Sequence, residues 1–369
     1  MRADLGERIA RVRARMRDAG VDGLVVTPGA DLRYLTGYPA TALERLTALV
    51  LAAEGDPTLV VPTLEAAEAR RSPAAQGGLA IRTYAETDDA LELALGLLGD
   101  AASIAVDDHM WASRVLAVEA MRPAAKVRAA GSLLSGARVR KDPAEVAALR
   151  AAAEAIDRVH ARMGEFLRVG RTERAAGRRI AEAIVEEGHA RADFVIVGSG
   201  PNGASPHHTV SDRVLAPGDP VVVDIGGATD DGYCSDSTRT YAVGELPGQD
   251  FLDYYAVLQE AQLAQCDRAR PGVAAESVDA VGRQVIEAAG YGECFFHRTG
   301  HGIGLETHEE PYLVAGNATL LEAGMAFSIE PGIYRAGRDG ARIEDIVVTT
   351  DAGSERLNRR PRELTVVGG

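Results

Sequence analysis

Cysteine is scarce. Cys234, Cys266 and Cys294 are the three in 369 residues, and no Cys-x-x-Cys pair occurs. That spacing excludes a zinc knuckle and a redox dithiol, and an odd, low count fits a reducing compartment. Lysine is scarcer still: apart from Lys126 and Lys141, all 40 basic residues are arginine, a bias that reads as codon usage in a GC-rich genome. Long apolar runs are missing too. None approaches the ~18 residues that span a bilayer. The stretch Met1-Arg2-Ala3-Asp4-Leu5-Gly6-Glu7-Arg8 has neither an apolar core nor a cleavage pattern, so no signal peptide is expected. Positive charge is also in deficit, with 40 basic against 54 acidic residues and a net charge of −14. Such a surface repels phosphate backbones and anionic lipid, so no nucleic-acid or membrane partner is expected; the missing signal pattern and the low cysteine count make a cytoplasmic location the expectation. Asn317-Ala318-Thr319 matches a glycosylation sequon by chance.

What is present is ordinary in bulk: 46% hydrophobic and 25% charged residues, the balance of a soluble globular chain. The length suggests two domains at roughly 100–200 residues each. In the first third, Leu5, Ile9, Val12 and Met16 repeat at helical spacing. Gly23–Thr27, Thr47–Ala52, Pro57–Val61, Ala80–Tyr84 and Ser103–Val106 read as strands. Helical patterns near Leu64–Arg71, Asp88–Leu98 and Met110–Met121 lie between several of them, which predicts a small α/β domain with a mixed or parallel sheet. The turn-rich Gly131–Gly136 predicts a boundary, with domains at 1–133 and 134–369. Asp142-Pro143-Ala144-Glu145 then opens a long helix, with a capping Asp, Pro at the first helical position and Glu at the third. The rest shows helices near Thr172–Glu187, Asp250–Ala269 and Glu276–Ala289. Strands at Phe194–Val197, Val221–Ile225, Thr238–Val243, Ala326–Ile329 and Ile343–Thr349 are often consecutive. That predicts an α+β domain, an antiparallel sheet covered by helices.

Gly198-Ser199-Gly200-Pro201-Asn202-Gly203 spells the G-x-G-x-x-G dinucleotide fingerprint. The fingerprint requires a helix N-terminus directly behind it, and Ala204-Ser205-Pro206-His207-His208 has no helical periodicity. The segment is expected to be a bent loop that delivers His207.

Acids and histidines occur where burial is expected. Val221-Val222-Val223-Asp224 ends an apolar strand with a carboxylate, and Cys234-Ser235-Asp236 begins the next with another; together they read as a hairpin. Phe327-Ser328-Ile329-Glu330 and Arg342-Ile343-Glu344 repeat the arrangement, with a second hairpin through Arg335–Gly340. A buried carboxylate is costly unless paired or metal-bound. Each residue alone has a plainer explanation, a turn cap or a loop; four acids on two hairpins do not. Of eight histidines, five fall between His207 and His308, and His301 lies in Thr299-Gly300-His301-Gly302 with His297 and His308 on either side. One imidazole with four carboxylates suits manganese, cobalt, iron or zinc. His109, His160 and His189 lack such company and are expected to be surface or packing residues.

These motifs resemble the pita-bread metallopeptidases: prolidase (Xaa-Pro dipeptidase), aminopeptidase P and methionine aminopeptidase. Asp224, Asp236, His301, Glu330 and Glu344 match the family's five-ligand pattern in order. The match covers about two-thirds of the chain, from Leu134 onward. The first third resembles the creatinase/prolidase N-terminal domain, including Leu32-Arg33-Tyr34-Leu35-Thr36-Gly37, which disfavours the methionine enzymes. The resemblance implies a C-terminal pita-bread catalytic domain of α+β class with a smaller α/β creatinase-like N-terminal domain. It implies two divalent cations, manganese first and cobalt, zinc or iron as alternatives. Asp224 would hold one cation, His301 and Glu330 the other, with Asp236 and Glu344 between them. Glu330 would take the proton of the attacking water, and His207 and His308 would steady the reacting carbonyl and the leaving nitrogen. His297 would be a further pocket histidine, and Arg342 and Thr238 would orient carboxylates. The implied activity is hydrolysis of Xaa-Pro bonds in short proline-containing peptides by a homodimeric enzyme, a dipeptidase first. The alternatives are aminopeptidase P, a creatinase-like amidinohydrolase or a non-catalytic binding protein. A dipeptidase needs a cation for the substrate carboxylate, and position suggests Arg335 and Arg338. One departure stands out: Asp224 and Asp236 are twelve apart where the family shows eleven. The extra residue is expected in the turn at Ala228–Asp231, since inside a strand it would flip one Asp to the wrong face.

Overall fold

The helical repeat at the start of the chain gives the helix Leu5–Asp18, which buries Ile9, Val12 and Met16 on one stripe. The computed structural model describes residues 5–368, and the chain falls into two compact units, Met1–Arg138 and Val139–Gly369. In the first, β1 (Gly23–Val26), β2 (Ala48–Ala52), β3 (Thr58–Pro62), β4 (Ala80–Tyr84), β5 (Ser103–Val106) and β6 (Lys126–Ala129) form one sheet in the order β4-β3-β2-β1-β5-β6. β2 is antiparallel to both neighbours and the other pairs are parallel, so the sheet is mixed. Every residue of β1 is buried, as its unbroken apolar run demands of a strand covered on both faces. Val25, Val50, Val60, Ile104 and Val106 pack on Ala94, Leu95 and Val118 of the covering helices.

The expected turn-rich boundary is instead a helix, Gly131–Arg138, with Leu133, Leu134 and Ala137 buried. These three share a helical face, and burying it outweighs the weak helix propensity of the glycines and serines around them. Beyond it, Asp142 accepts from the Glu145 N–H at 2.8 Å while the Glu145 carboxylate accepts from the Asp142 N–H at 3.0 Å. That reciprocal cap starts the 19-residue helix Pro143–Ala161.

The second unit contains β7 (Arg191–Ser199), β8 (Pro220–Ala228), β9 (Cys234–Val243), β10 (Gly300–Gly302), β11 (Glu309–Leu313), β12 (Ala326–Ile329), β13 (Gly332–Arg335), β14 (Asp339–Arg342), β15 (Asp345–Thr350), β16 (Gly353–Arg356) and β17 (Thr365–Val367). They form a β17-β9-β8-β7 sheet, a β11-β10-β12-β15-β16 sheet and the β13-β14 hairpin. Side chains alternate across a strand, and here the alternation separates core from site. Val221, Val223 and Ile225 of β8, with Tyr241 and Val243 of β9, pack on Ile156, Val159, Ile180 and Ile184 of the helices Pro143–Ala161 and Glu173–Glu186. Phe327, Ile329 and Val347 pack on Cys266 and Val278 of the helices Gln249–Arg268 and Ala275–Ala288. The even-numbered residues Asp224, Asp236, Glu330 and Glu344 are thereby left for the opposite faces.

His160 belongs to the helix-covered side. It is 1% exposed, with Nδ1 3.0 Å from the Tyr241 hydroxyl and Nε2 3.2 Å from the Ser237 carbonyl. Burial first, and the charge of Arg239 second, bring its pKa down to about 3, so it folds neutral. The unfolded imidazole takes up a proton below about 6.5 and the folded one does not. Its contribution to stability is therefore complete above about pH 6.5 and is lost as pH falls towards 3, by up to ~1.4 kcal/mol per pH unit. Urea melts of His160→Gln and of the unaltered protein should give stabilities that converge as pH drops from 6.5 to 4. A difference constant with pH would show that this ring is not the group being titrated.

Candidate metal centre

β8 and β9, the two central strands of the β17-β9-β8-β7 sheet, pair without a register shift, from Pro220↔Ala242 to Ala228↔Cys234. The turn closes through Thr229 N–H to Tyr233 O at 3.0 Å and Gly232 N–H to Thr229 O at 2.8 Å, with Gly232 at φ 85°, a conformation glycine adopts without steric cost. The extra residue thus lies in the turn, and Asp224 and Asp236 keep a common face. They are diagonal neighbours: Asp224 pairs with Thr238, and Asp236 with Gly226. Diagonal positions, roughly 7–8 Å apart at the backbone, leave room for an ion between the side chains.

The second hairpin differs in detail from the expected one. β12 pairs with β15 and β13 with β14 in one continuous register, Ile329↔Asp345 and then Gly332↔Arg342. Glu330 and Glu344 sit in the gap between these ladders, opposite each other. Gly340 closes this hairpin onto the Gly198–Gly203 segment: a Cβ at Gly340 would come 2.1 Å from the Gly203 carbonyl. That segment leaves β7 as a five-residue 3-10 turn, Gly200–Ala204, with no α-helix behind it, so the dinucleotide fingerprint lacks its phosphate-binding helix.

Nine residues singled out in the sequence share one cavity of about 790 Å³: Asp224, Asp236, His301, Glu330 and Glu344 with His207, His297, His308 and Arg342. Asp236, His301 and Glu344 each offer a ligand atom within 4.8 Å of the others. His301 Nε2 lies 3.3 Å from Glu330 Oε1 and 3.6 Å from Asp236 Oδ2. Its Nδ1 is 3.1 Å from the Gly302 carbonyl, which assigns the ring proton to Nδ1 and turns the Nε2 lone pair towards the carboxylates, the arrangement of a metal-binding imidazole. Glu344 Oε2 accepts from the Thr238 hydroxyl at 2.8 Å and Asp224 Oδ2 from Arg342 at 2.6 Å. Their other oxygens, Glu344 Oε1 and Asp224 Oδ1, are buried without a partner, which is costly unless a cation satisfies them. Burial, and then the charges of Glu344, Asp224 and Glu330, hold Asp236 well above the usual carboxylate range. Burial, and then Glu330 and Asp224, do the same to Glu344. Donor set, orphaned oxygens and mutual repulsion all fit divalent cations among oxygen and imidazole ligands.

The supporting groups are committed. Arg342 is 2% exposed and also donates to the Tyr334 hydroxyl at 2.8 Å, to Thr238 Oγ1 at 3.2 Å and to the Pro206 carbonyl at 3.3 Å. Tyr334 in turn lies 2.9 Å from His297 Nε2, and His297 Nδ1 is 2.7 Å from the Arg298 carbonyl. With Arg342 donating to Tyr334, the proton order runs Tyr334 O–H to Nε2 and Nδ1–H to Arg298, so His297 is a neutral link whose two nitrogens are both occupied. His207 and His308 are exposed at the cavity, the His308 ring 4.0 Å from that of His301. Arg335 and Arg338, the expected carboxylate binders, both pair with Asp250, and Arg335 also with Asp339 at 2.7 Å. Neither lines the cavity.

Sequence reasoning missed Glu173, whose side chain is fully buried. It accepts from Ser199 N and Oγ at 2.8 and 2.6 Å, Asn202 Nδ2 at 3.0 Å, His208 Nε2 at 2.8 Å, and Ser211 N and Oγ at 3.1 and 2.6 Å. It pins both flanks of the segment that carries His207. Burial would raise its pKa, but the hydroxyls of Ser199 and Ser211, the Ser199 N–H and His208 outweigh it and bring Glu173 down to about 2. In the sequence it looks like an ordinary first-turn acid after the cap Thr172. Tyr334 was missed as well.

Fold and site together define a metal-dependent hydrolase. Residues 147–351 match the model of metallopeptidase family M24, and residues 8–140 match that of the creatinase/prolidase N-terminal domain. The chain belongs to metallopeptidase family M24, whose members use divalent metal. It is 54% identical over 361 residues to the "Probable dipeptidase PepE" of Mycobacterium tuberculosis, covering 98% of this chain and 96% of that one. It is 34% identical over 363 residues to the Xaa-Pro dipeptidase of Lactobacillus helveticus, covering 95% and 96%. The crystal structure of a prolidase from Thermococcus sibiricus superimposes with a TM-score of 0.92 at 36% identity, covering 100% of both chains. The fold is thus the pita-bread catalytic domain with its creatinase-like partner.

Proposed function

We propose that the protein is an Xaa-Pro dipeptidase, a prolidase, which hydrolyses short proline-containing peptides with two divalent cations held by Asp224, Asp236, His301, Glu330 and Glu344. The observation that carries this is the buried acid–imidazole cluster with its two unpartnered carboxylate oxygens; the named activities of the relatives supply the substrate. Bound cations supply Lewis acidity and a water that ionises near neutral pH.

The chain's own groups do the rest. Glu330, with 16% of its side chain exposed, is more accessible than Asp224 at 12% or Asp236 at 6%, so it is the acid placed to take a proton from an attacking water. His207 and His308, exposed at the cavity, steady the developing oxyanion and protonate the leaving nitrogen. Arg342 and Thr238 hold Asp224 and Glu344 in orientation, as the partners behind metal ligands do. Phe194, Ile196 and Phe296 give the cavity an apolar wall suited to a pyrrolidine ring. Manganese as the native metal and a homodimer complete the reading, carried over from the family resemblance; a cytoplasmic location joins them on the cysteine count.

The test is to strip the protein of metal, restore manganese, and assay an Xaa-Pro dipeptide beside an Xaa-Pro-Xaa tripeptide. Cleavage of the dipeptide alone, dependent on metal, is expected. Cleavage of the tripeptide would make the enzyme an aminopeptidase P; cleavage of neither, with metal bound, would remove the proline assignment.

A further inference from the structure

Thr299 is a junction between the metal centre and the two helices behind it. It is fully buried and stands two residues before His301. Its carbonyl accepts from the Glu330 N–H at 2.8 Å, so this one residue fixes the main chain on both the Glu330 and the His301 side. Its own N–H donates to the Leu313 carbonyl at 3.0 Å and to Asp279 Oδ1 at 3.1 Å. Its hydroxyl accepts from Gln265 Nε2 at 2.7 Å. Asp279 is held in turn by Arg283, 2.8 Å from Oδ1, and Arg283 donates to the carbonyls of Phe295 and His297 at 2.8 and 3.0 Å. On the site side, Ser328 closes the link: its hydroxyl accepts from the His301 N–H at 3.0 Å and donates to Glu330 Oε1 at 3.2 Å.

Packing alone does not account for Gln265. It lies on the helix Gln249–Arg268, is 0% exposed, and its Oε1 is buried without a partner. It reaches Thr299 past Gly282 of the helix Ala275–Ala288, where a Cβ would come 2.2 Å from the glutamine amide. A glycine inside a helix and an orphaned buried oxygen both cost stability. An apolar pair in place of Gln265 and Thr299 would leave no such oxygen. What the polar pair adds is direction: the hydrogen bond fixes the Thr299 side chain, and with it the peptide plane to which Glu330 is tied. His301 Nε2 and Glu330 Oε1, 3.3 Å apart, are the groups whose spacing a shared cation needs set.

We propose that Gln265, acting through Thr299, is a positioning residue that sets His301 and Glu330 at the spacing of one divalent cation. This rests on the two-cation reading above. Gln265 acts from behind the ligands, on the main chain rather than on the ion.

The test titrates manganese into the metal-free full chain by calorimetry, for the unaltered protein, Thr299→Val, Thr299→Ser, Gln265→Met and the double variant Gln265→Met with Thr299→Val. The unaltered protein should bind two ions. Thr299→Val removes the hydroxyl at nearly constant shape. It should weaken one of the two binding steps by roughly 10–100-fold, as loss of a partner behind metal ligands does, and leave the other. Gln265→Met removes the same bond from its other end and should weaken the same step. Thr299→Ser keeps the hydroxyl and should bind as the unaltered protein does. The double variant should recover thermal stability, since both partners become apolar, without recovering affinity. The proposal is overturned if both steps weaken together, if neither does, or if the double variant recovers affinity along with stability. Hydrogen exchange at the Glu330 amide gives a readout that needs no metal. Thr299→Val should speed exchange there and leave Ile346, whose amide is bonded to Asn358, unchanged. If the unaltered protein takes up fewer than two ions, the two-cation reading fails. The brace still stands if exchange separates the two amides in this way, and it falls if they respond alike.

Discussion

Asp236→Ala is expected to lower turnover of an Xaa-Pro dipeptide at least ~1,000-fold, because losing one of the proposed cation ligands would forfeit several kcal/mol of transition-state stabilisation at about 1.4 kcal/mol per factor of ten. The same substitution should stabilise the metal-free protein. Asp236 is 4% exposed, faces Glu344, Asp224 and Glu330, and without a cation its burial and the mutual repulsion are uncompensated. Differential scanning calorimetry should therefore show a crossed pattern. Without metal the variant melts above the unaltered protein. With manganese at about 100 times its dissociation constant, the unaltered protein gains roughly 2.7 kcal/mol, and the variant gains little. Metal content per chain, measured by elemental analysis, should fall in parallel. A variant that binds the full metal complement and melts with the same increment would remove Asp236 from the ligand set.

Glu173→Ala should have the largest effect outside the cation ligands. It leaves donors from Ser199, Asn202, His208 and Ser211 facing a buried gap. At about 1–3 kcal/mol for each unsatisfied buried group, partial rewetting of the loop still leaves a loss of at least ~3 kcal/mol. The depressed pKa of the carboxylate corresponds to a similar size. Glu173 lies at about 2 in the folded protein against an ordinary 4.5, a shift equivalent to roughly 3 kcal/mol. That stability is complete above about pH 4.5 and is lost as pH falls towards 2, so the two proteins should differ most at neutral pH and converge in acid. Turnover should fall about 100-fold through misplacement of His207, as small displacements of a reacting group do. Metal affinity should change little, since Glu173 touches no proposed ligand. Chemical denaturation from pH 3 to 7, with metal titrations, checks both. Full activity in Glu173→Ala would mean that the His207 segment is held from elsewhere.

Much of the architecture could be read from local pattern. Val221–Ile225, Ala326–Ile329 and the capped helix after Asp142 carry their own signals: unbroken or alternating apolar residues and a reciprocal cap. Other elements do not. The helix Gly131–Arg138 carries two glycines and two serines in eight residues and exists because Leu133, Leu134 and Ala137 find a surface to cover. β10 is Gly300-His301-Gly302, which has no strand propensity; glycine is required there because a Cβ at Gly302 would come 2.1 Å from the Glu310 carbonyl. Asp345 illustrates the same limit at the level of one residue. It follows Glu344 directly, yet alternation sends it to the other face, where Arg239 at 2.7 Å and Arg362 at 2.6 Å hold it. Adjacent acids with opposite surroundings look identical in sequence.

Local pattern alone assigns Asp224, Asp236, Glu330 and Glu344 to the faces opposite the helices, because strand parity needs only neighbouring residues. What surrounds them depends on contacts made across the whole catalytic unit. Arg342 reaches Asp224 across 118 positions, Thr238 reaches Glu344 across 106, and Glu173 gathers a segment up to 38 residues away. The partner of a buried charge is set by which strands and helices pack together, a property of chain topology rather than of any window of sequence. For the same reason Arg335 and Arg338, near the site in sequence, are bound to Asp250 instead.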